Sequence, residues 1–256
     1  MSGILDAFKL DGKVALVTGS ERGLGRGMAV ALAQAGADIV GVTHTAEAPE
    51  TAAAIEATGR KYVHVQANLL SIEPIEGVVA KAVEAFGHID ILVNNAGIIM
   101  RNDSVDFTEK EWDDVMNINV KTVFFMCQAV ARQFIKQGTG GKIVKIASML
   151  SFQGGIRVPS YTASKSGVKG ITMLMANEWA KHGINVNAIA PGYMATDNTT
   201  QLRADEARSA EILGRIPAGR WGLPEDLGGA VVFLSSKAAD YINGYTVAVD
   251  GGWLAR

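Results

Sequence analysis

Tyr161 and Lys165 are four residues apart in the segment YTASK. On a helix, that spacing places the two side chains on one face, within reach of each other or of a common ligand. A free phenol has a pKa of about 10, so it is a weak base at neutral pH. A nearby ammonium group favours the phenolate and so lowers that pKa. The pair therefore indicates proton exchange with a bound hydroxyl, although the same spacing also occurs on many solvated helices.

Ser148 follows a predicted strand at 142–146 and is the third residue suited to this chemistry. Ligands of open α/β sheets bind outside the carboxyl ends of the strands, which is where this serine falls. Its hydroxyl can donate a hydrogen bond to a substrate oxygen or accept one from it. The simpler alternative is that Ser148 caps the segment after it. The coincidence with Tyr161 and Lys165 favours a catalytic role.

The segment TGSERGLG at 18–25 follows the first predicted strand and opens a predicted helix. Gly19 permits a tight turn, Gly23 allows backbone amides to approach a pyrophosphate, and Gly25 permits close packing of helix on strand. The amides and the positive dipole end of the helix attract phosphate. Because the spacing differs from the usual G-x-G-x-x-G fingerprint, a plain β-to-α turn is the alternative. The segment NNAG at 94–97 strengthens the dinucleotide interpretation, although it is also a common turn sequence.

Short apolar, β-branched runs alternate with segments of helical periodicity along the chain. Several runs are almost continuously apolar, which is typical of strands covered by helices on both faces. The alternation predicts one α/β domain over 1–256, built as a doubly wound, Rossmann-type parallel sheet. The predicted strands lie at 14–17, 38–42, 62–65, 89–93, 142–146, 184–189 and 245–249. The clearest predicted helices lie at 24–35, 74–86 and 160–181.

The stretch from 192 to about 224 has no strand character. A segment of that length in a compact domain is usually a functional lid or a small helical excursion. We predict a substrate lid at about 193–223, with a helix pair packed on the rim as the alternative.

Composition argues against several classes of function. The 256 residues carry a formal net charge of −2, which gives no attraction to a polyanion, so we expect no nucleic-acid partner. Apolar runs stop well short of the roughly 18 residues of a membrane helix, and residues 1–6 do not begin a signal peptide, so we expect a cytoplasmic protein. The single cysteine, Cys127, is expected to be buried. The four histidines lack zinc-ligand spacing, so no metal is expected.

In combination and in chain order, these residues resemble the short-chain dehydrogenase/reductase family over essentially the full length. The resemblance implies a nicotinamide-dependent oxidoreductase that interconverts a secondary alcohol and a ketone. It implies that Tyr161 exchanges the proton, that Ser148 holds the substrate oxygen, and that Lys165 both acidifies Tyr161 and binds the nicotinamide ribose. It also implies that Asn119, otherwise a polar residue on a helix, helps to hold a water in a proton relay to Lys165. The matching positions are 18–25, 94–97, Asn119, Ser148, Tyr161, Lys165, Pro191 and Gly192.

The resemblance further implies an NAD(P) site. The second strand is followed by no acid that would accept the ribose hydroxyls of NAD. Arg22 is suited to the 2′-phosphate of NADP or is a solvated charge, and Asn68 replaces the adenine-contacting Asp of the family. Similarity to NAD-linked sugar-acid enzymes favours NAD, with NADP as the alternative. The expected cofactor contacts are Gly19, Arg22, Gly23, Leu24, Gly25, Asn68, Leu69, Asn95, Ala96, Gly97, Tyr161, Lys165, Pro191, Gly192 and Thr196.

Within the family, the segments at 146–161, 218–224 and 250–256 resemble sugar-acid dehydrogenases of uronate breakdown. A sugar acid needs a cation for its carboxylate and hydrogen-bonding groups for its hydroxyls. We expect Arg157 to bind the carboxylate, with a surface or subunit-interface ion pair as the alternative. The expected substrate contacts are Arg101, Ser148, Gln153, Arg157 and Tyr193.

Other interpretations remain open at this point. A 3-oxoacyl reductase of fatty-acid synthesis and a gluconate 5-dehydrogenase share the same residues. A non-catalytic dinucleotide-sensing protein on the same fold is the alternative from a different class. The intact Ser148, Tyr161 and Lys165 count against it, since a binding module has no use for a proton-transfer pair. The resemblance also implies a homotetramer.

Overall fold

The predicted β-branched runs form one parallel sheet. The computed structural model describes residues 3–256. Met1 and Ser2, which begin both the predicted domain and the segment considered as a signal peptide, lie outside the described residues. The strands are β1 (Val14–Thr18), β2 (Asp38–Thr43), β3 (Tyr62–Gln66), β4 (Ile91–Asn94), β5 (Gly141–Ile146), β6 (Ile184–Pro191) and β7 (Thr246–Val249). Their order in the sheet, β3-β2-β1-β4-β5-β6-β7, confirms the doubly wound prediction.

Helices connect the strands and cover both faces of the sheet. The predicted helices at 24–35, 74–86 and 160–181 are confirmed with bounds shifted by at most two residues, as α1, α3 and α6. The helices are α1 (Gly23–Gln34), α2 (Pro49–Glu56), α3 (Ile75–Phe86), α4 (Glu109–Met116), α5 (Thr122–Gln137), α6 (Pro159–Trp179), α7 (Thr200–Ala204), α8 (Glu206–Arg215) and α9 (Gly228–Ser235).

β1 shows how one strand supplies two cores. Val14 and Leu16 belong to the apolar cluster that includes residues of α3 and α5, whereas Ala15 and Val17 belong to the cluster that includes residues of α1 and α9. Successive side chains of a strand point to opposite faces, so both faces of β1 are buried. This double burial explains why the run is apolar without interruption.

The strand order reverses between β1 and β4, which pair directly. In open α/β sheets, such a reversal opens a crevice outside the carboxyl ends of the two strands. β5 and β6 continue in register, with Asn94 opposite Lys145 and Ile146 opposite Ile189. The residues that follow β1, β4, β5 and β6 therefore meet at one edge of the sheet.

The predicted lid at 193–223 contains α7 and α8. Its base is closed by a short parallel bridge between Met194 and Gly222. Ile212 of α8 is buried in a cluster with Ile216 and Trp253, which attaches the second half of the segment to the chain terminus. The segment at 193–223 therefore contains a helix pair on the rim, which was the alternative interpretation of the sequence. The motion of this segment as a substrate lid stays a prediction.

Lys145 is the unexpected residue of the sheet. It lies in the predicted strand at 142–146, yet its side chain is fully buried, and its ammonium group donates to the sulfur of Met175 at 3.2 Å. Burial lowers the pKa of Lys145, because the charged form loses its solvation.

Cys127 is buried, as expected, and accepts a hydrogen bond from the Asn94 amide. Among residues 3–256, no helix is both long and apolar enough to span a membrane.

Candidate active site

Tyr161 and Lys165 lie one turn apart near the start of α6. Pro159 is the first residue of this helix, a position that proline favours because its missing N–H would be unpaired there. The Lys165 Nζ atom is 5.5 Å from the centre of the Tyr161 ring, so both side chains occupy one helix face. Lys165 is 5% exposed, and it donates to the carbonyl oxygen of Ile146 at 2.6 Å. The expected shared face is therefore present.

Ser148 stands beside this pair at the end of β5. Its hydroxyl oxygen accepts a hydrogen bond from the Leu150 amide at 3.1 Å and caps the short 3₁₀ helix Met149–Ser151. The same hydroxyl lies near the Tyr161 phenol, where a hydrogen bond between the two groups favours the phenolate and lowers the pKa of Tyr161. The capping role and the catalytic arrangement, which were alternatives in the sequence, coexist in the structure.

The charge balance at Tyr161 differs from the expectation. Burial raises the pKa of the Tyr161 phenol, while the hydrogen bond from Ser148 and the positive charge of Arg101 oppose the rise. Lys165 is not among the groups that shift this pKa here, because its ammonium group is turned to the carbonyl of Ile146. Its expected acidifying role stays a prediction. Burial also lowers the pKa of Lys165 itself to about 8.

Asn119 lies in a π-helical turn, Asn117–Lys121, between α4 and α5. Such turns are rare and occur often at functional sites. Its side-chain amide donates to the Ile98 carbonyl at 2.9 Å and to the Ser164 hydroxyl at 3.1 Å, while its oxygen accepts from the Ile98 amide at 3.0 Å. Ser164 donates in turn to the carbonyl of Tyr161 at 2.8 Å. Asn119 therefore ties the loop after β4 to the helix that carries the tyrosine; its expected role in a water relay stays a prediction.

Gly97 is required by this arrangement. A Cβ atom at position 97 would lie 2.8 Å from the Asn119 side-chain oxygen. Any larger residue would therefore push Asn119 out of its hydrogen bonds to Ile98. The expected cofactor residue Gly97 thus also has a structural reason to be glycine.

The glycine loop packs tightly against the segment after β4. A Cβ atom at Gly25 would lie 1.9 Å from the carbonyl oxygen of Gly19, so the loop closes only with glycine there. Gly19 and Gly23 have φ angles of 64° and 54°, in the left-handed region that favours glycine. Leu24, partly buried in the first turn of α1, packs against the core cluster that includes α9.

Thr18 and Asn95 join the loop to the segment after β4. The Thr18 hydroxyl accepts hydrogen bonds from the amides of Asn95 and Ala96, both at 3.0 Å. The Asn95 side chain donates to the carbonyls of Thr18 and Gly19, both at 3.0 Å. The Asn95 side chain is thus committed to holding the loop, while the Asn95 and Ala96 backbone lines the crevice.

The amino end of α1 fits a dinucleotide phosphate. Arg22, the residue before the helix, makes no side-chain capping bond, so the first-turn amides are left for an anion. The segment after β2 lies against the same loop, because the Thr51 hydroxyl donates to the Ser20 carbonyl at 2.8 Å. Asn68 and Leu69 follow β3; the Asn68 side chain accepts from the Leu70 amide at 3.1 Å, and the Leu69 carbonyl accepts from Thr122 at 2.9 Å.

The end of β6 completes the crevice. Pro191 is its last residue, and the Gly192 amide donates to the Val249 carbonyl at 3.0 Å. A Cβ atom at Gly192 would lie 2.7 Å from Asp250, so this glycine also serves packing. Thr196 approaches the glycine loop, since its methyl carbon would be 3.7 Å from a Cβ atom at Gly23.

The expected substrate residues separate into two groups. Arg101 lies close enough to Tyr161 for its charge to act on the phenol, and it donates to the Asn198 carbonyl at 3.1 Å. Arg157 instead pairs with Asp103 at 3.0 Å, with more than half of each side chain exposed. Its φ of 63° is unusual for a residue with a side chain. The ion pair that was the alternative for Arg157 is therefore present.

Gln153 and Tyr193 have different surroundings. The backbone N–H of Gln153 donates to the Met149 carbonyl at 3.3 Å. The Gln153 side chain is partly exposed. The Tyr193 ring packs edge-on against Trp221 and Trp253, with ring centres 5.5 and 4.9 Å apart. The structure thus leaves Gln153 available and holds Tyr193 in an aromatic cluster at the base of the lid.

Sequence reasoning assigned no role to Ser151 or Ser164. Ser151 accepts from the Ser148 amide at 3.3 Å and donates to the Lys165 carbonyl at 2.6 Å, so it joins the two catalytic segments. Both serines are buried. Their only sequence signal was their place within the segments at 146–161 and 161–165, which is too weak without coordinates. In the described part of the chain, no three His, Cys, Asp or Glu side chains gather as a metal site would need.

Known proteins share this arrangement. The model of the family described as short chain dehydrogenase matches residues 13–207. A 2-dehydro-3-deoxy-D-gluconate 5-dehydrogenase of Escherichia coli (strain K12) is 69% identical over 253 residues, covering 99% of this chain and 100% of that protein. The protein of the same name from Bacillus subtilis (strain 168) is 53% identical, covering 98% of each chain.

Solved structures agree with the sequence relatives. A gluconate 5-dehydrogenase from Burkholderia cenocepacia J2315, in complex with NADP and tartrate, has a TM-score of 0.95 and 39% sequence identity. The match covers 99% of this chain and 100% of that chain. With its family model, its near full-length relatives and its Ser-Tyr-Lys geometry, the chain belongs to the short-chain dehydrogenase/reductase family.

Proposed function

We propose that this chain is an NAD(P)-dependent dehydrogenase that interconverts the 5-hydroxyl group and a 5-ketone on 2-dehydro-3-deoxy-D-gluconate, a sugar acid of pectin and uronate breakdown. The observation that carries the proposal is the Tyr161–Lys165 pair on one face of α6, with Ser148 at the end of β5, at the carboxyl edge of the sheet. The 69% identity to the Escherichia coli protein of that activity supports the choice of substrate.

In this proposal, each residue of the site has a separate task. Ser148 holds the substrate oxygen by a hydrogen bond, and Tyr161 takes the hydroxyl proton during oxidation or returns it during reduction. Lys165 binds the ribose next to the nicotinamide, which requires its ammonium group to leave the Ile146 carbonyl. Arg101 attracts the substrate carboxylate, because a guanidinium forms charge-assisted hydrogen bonds with carboxylates.

The glycine loop and the amino end of α1 would hold the cofactor. The bound nicotinamide supplies the redox chemistry by accepting or giving a hydride. Relatives solved with NADP support a nicotinamide dinucleotide as the ligand. We favour NAD for this chain, because Arg22, the residue suited to the 2′-phosphate of NADP, is paired with Asp197 at 3.1 Å.

We propose further that the enzyme works in the cytoplasm as a homotetramer. Met173 and Leu174 on α6 are about half exposed, and Tyr241 and Tyr245 are exposed beside β7. Exposed apolar side chains at these positions support contact between subunits. Light scattering on the purified protein measures the molecular mass and therefore the subunit number.

A kinetic screen tests the proposed activity. Purified protein is assayed with NAD and NADP in parallel on 2-dehydro-3-deoxy-D-gluconate, gluconate and a 3-hydroxyacyl thioester, by absorbance of the reduced cofactor. We expect the highest kcat/KM with 2-dehydro-3-deoxy-D-gluconate. A higher kcat/KM with gluconate or the thioester would reject the proposed substrate but not the alcohol dehydrogenase chemistry. Absence of turnover on every alcohol would reject that chemistry too.

A further inference from the structure

Two arginines lie at the glycine loop and differ in how firmly they are held. Arg22 belongs to the loop, and Arg26 lies in the first turn of α1. Arg26 donates twice to the Glu21 carbonyl, at 3.2 and 2.7 Å, and pairs with Glu50 at 2.6 Å. Arg22 forms one ion pair, with Asp197 at 3.1 Å, and its side chain is 69% exposed. Arg22 is therefore the arginine of this loop whose guanidinium can exchange one anion for another.

Asp197 belongs to the lid rather than to the cofactor loop. It begins the 3₁₀ turn Asp197–Thr199, directly after Thr196, which lies beside Gly23. The Arg22–Asp197 pair thus spans the crevice at the amino end of α1. The next residue, Asn198, is bonded through its carbonyl to Arg101 on the opposite wall. This turn is attached to both walls of the crevice by arginines.

Arg22 also lies close to the place where the two nicotinamide cofactors differ. The ribose of a dinucleotide sits beyond the end of the second strand, where an arginine accommodates the 2′-phosphate of NADP. In this chain, the segment after β2 is bound to the glycine loop by Thr51, which donates to the carbonyls of Ser20 and Glu21. Those two residues immediately precede Arg22.

We propose that Asp197 is a positioning residue that sets the preference for NAD over NADP by holding Arg22 across the crevice. This inference rests on the proposed function, which supplies both the nicotinamide dinucleotide as ligand and the preference for NAD. A 2′-phosphate recruits Arg22 only after the Arg22–Asp197 pair breaks, whereas NAD leaves the pair intact. Binding of NADP therefore breaks the Arg22–Asp197 contact with the lid, whereas binding of NAD leaves that contact in place.

The expected effect is modest, because both partners are solvent-exposed. Exposed ion pairs change an equilibrium by no more than about fivefold. Asp197→Asn should therefore lower the Kd of NADP relative to that of NAD by about two- to fivefold. The difference should shrink in high salt, which screens exposed charges.

Calorimetric titration of NAD and NADP into the substrate-free protein tests this inference without any assay of turnover. Asp197→Asn is compared with the control variant Glu206→Gln. Glu206 is the first residue of α8 and an acid of the same lid. We expect the ratio of the two Kd values to change in Asp197→Asn and to stay at the wild-type value in Glu206→Gln. Asp197→Glu, which keeps the charge, should restore much of the wild-type ratio.

A double-mutant cycle shows whether the effect passes through Arg22. In an Arg22→Gln background, Asp197→Asn should no longer change the ratio of Kd values. An unchanged ratio in Asp197→Asn, or an equal change with and without Arg22, overturns the inference. That result leaves the proposed activity standing, whereas a protein that binds neither dinucleotide overturns both.

Discussion

The cofactor wall and the substrate wall of the crevice are held by different contacts. On the cofactor wall, Thr18 and Asn95 join partly buried backbone groups by hydrogen bonds near 3.0 Å, and Gly25 allows the loop to close on itself. On the substrate wall, the loop at 99–108 is attached by a hydrogen bond from Arg101 to the Asn198 carbonyl and by the exposed ion pair of Asp103 with Arg157. Buried hydrogen bonds are costly to break, whereas exposed ion pairs contribute little.

This difference has a consequence for specificity. The rigid wall fixes the cofactor and the proton-transfer residues, which all reactions of the family share. Residues of the loosely attached substrate wall can be substituted with little change in the free energy of unfolding. We infer that substrate choice resides in the residues at 99–108, 152–158 and 193–223, and that the proton-transfer chemistry resides in the remainder.

Tyr161→Phe is the largest expected effect and tests the fixed wall. Without the phenol, the group that exchanges the substrate proton in the proposed function is missing, so kcat should fall by about 10²- to 10⁴-fold. Dinucleotide affinity should stay near the wild-type value, because the glycine loop is untouched. Turnover is measured with the preferred sugar acid, and binding by calorimetry. Near-normal turnover in this variant would remove Tyr161 from its role.

Gly25→Ala tests the packing of the cofactor wall. The new methyl group would meet the Gly19 carbonyl at 1.9 Å and the Asn95 amide at 2.5 Å, so the loop must shift. We expect a loss of about 1–3 kcal/mol in the free energy of unfolding, with weakened dinucleotide binding. Denaturant unfolding and calorimetry measure both quantities.

The matched control is Gly77→Ala in α3, where a Cβ atom meets nothing within 4 Å. An exposed helical glycine replaced by alanine should stabilise by about 0.5–1 kcal/mol. Equal stability changes in the two variants would contradict the close packing described for Gly25.

Replacing the two arginines of the substrate wall is the smallest and most discriminating test. Arg101→Ala should raise the KM for the sugar acid by roughly tenfold or more, because a hydrogen bond to a charged group contributes about 1.5–3 kcal/mol. Arg157→Ala should raise it by no more than about fivefold, because Arg157 is paired with Asp103. Steady-state kinetics at saturating cofactor measure both values. A larger effect at Arg157 would restore the expectation that this residue binds the carboxylate.

The sequence was informative where one physical rule acts alone. β1 and β4 were predictable because buried parallel strands are apolar on both faces. The glycine loop was predictable because only glycine fits its turns. Lys145 was not predictable as a buried residue, because its burial depends on the position of Met175, 30 residues away along the chain. The direction of the Lys165 ammonium, towards Ile146 rather than Tyr161, depends equally on contacts between distant segments.

The π-helical turn at Asn117–Lys121 makes the number of residues in this segment a functional requirement. Each residue of an α-helix advances the chain by roughly 100° around the axis. Removal of one residue from the turn would fuse α4 and α5 into one regular helix and rotate α4 by about that angle. Val115, now buried, would swing towards solvent, and Asn119 would no longer face Ile98. Single-residue deletions here should therefore be tolerated less well than substitutions.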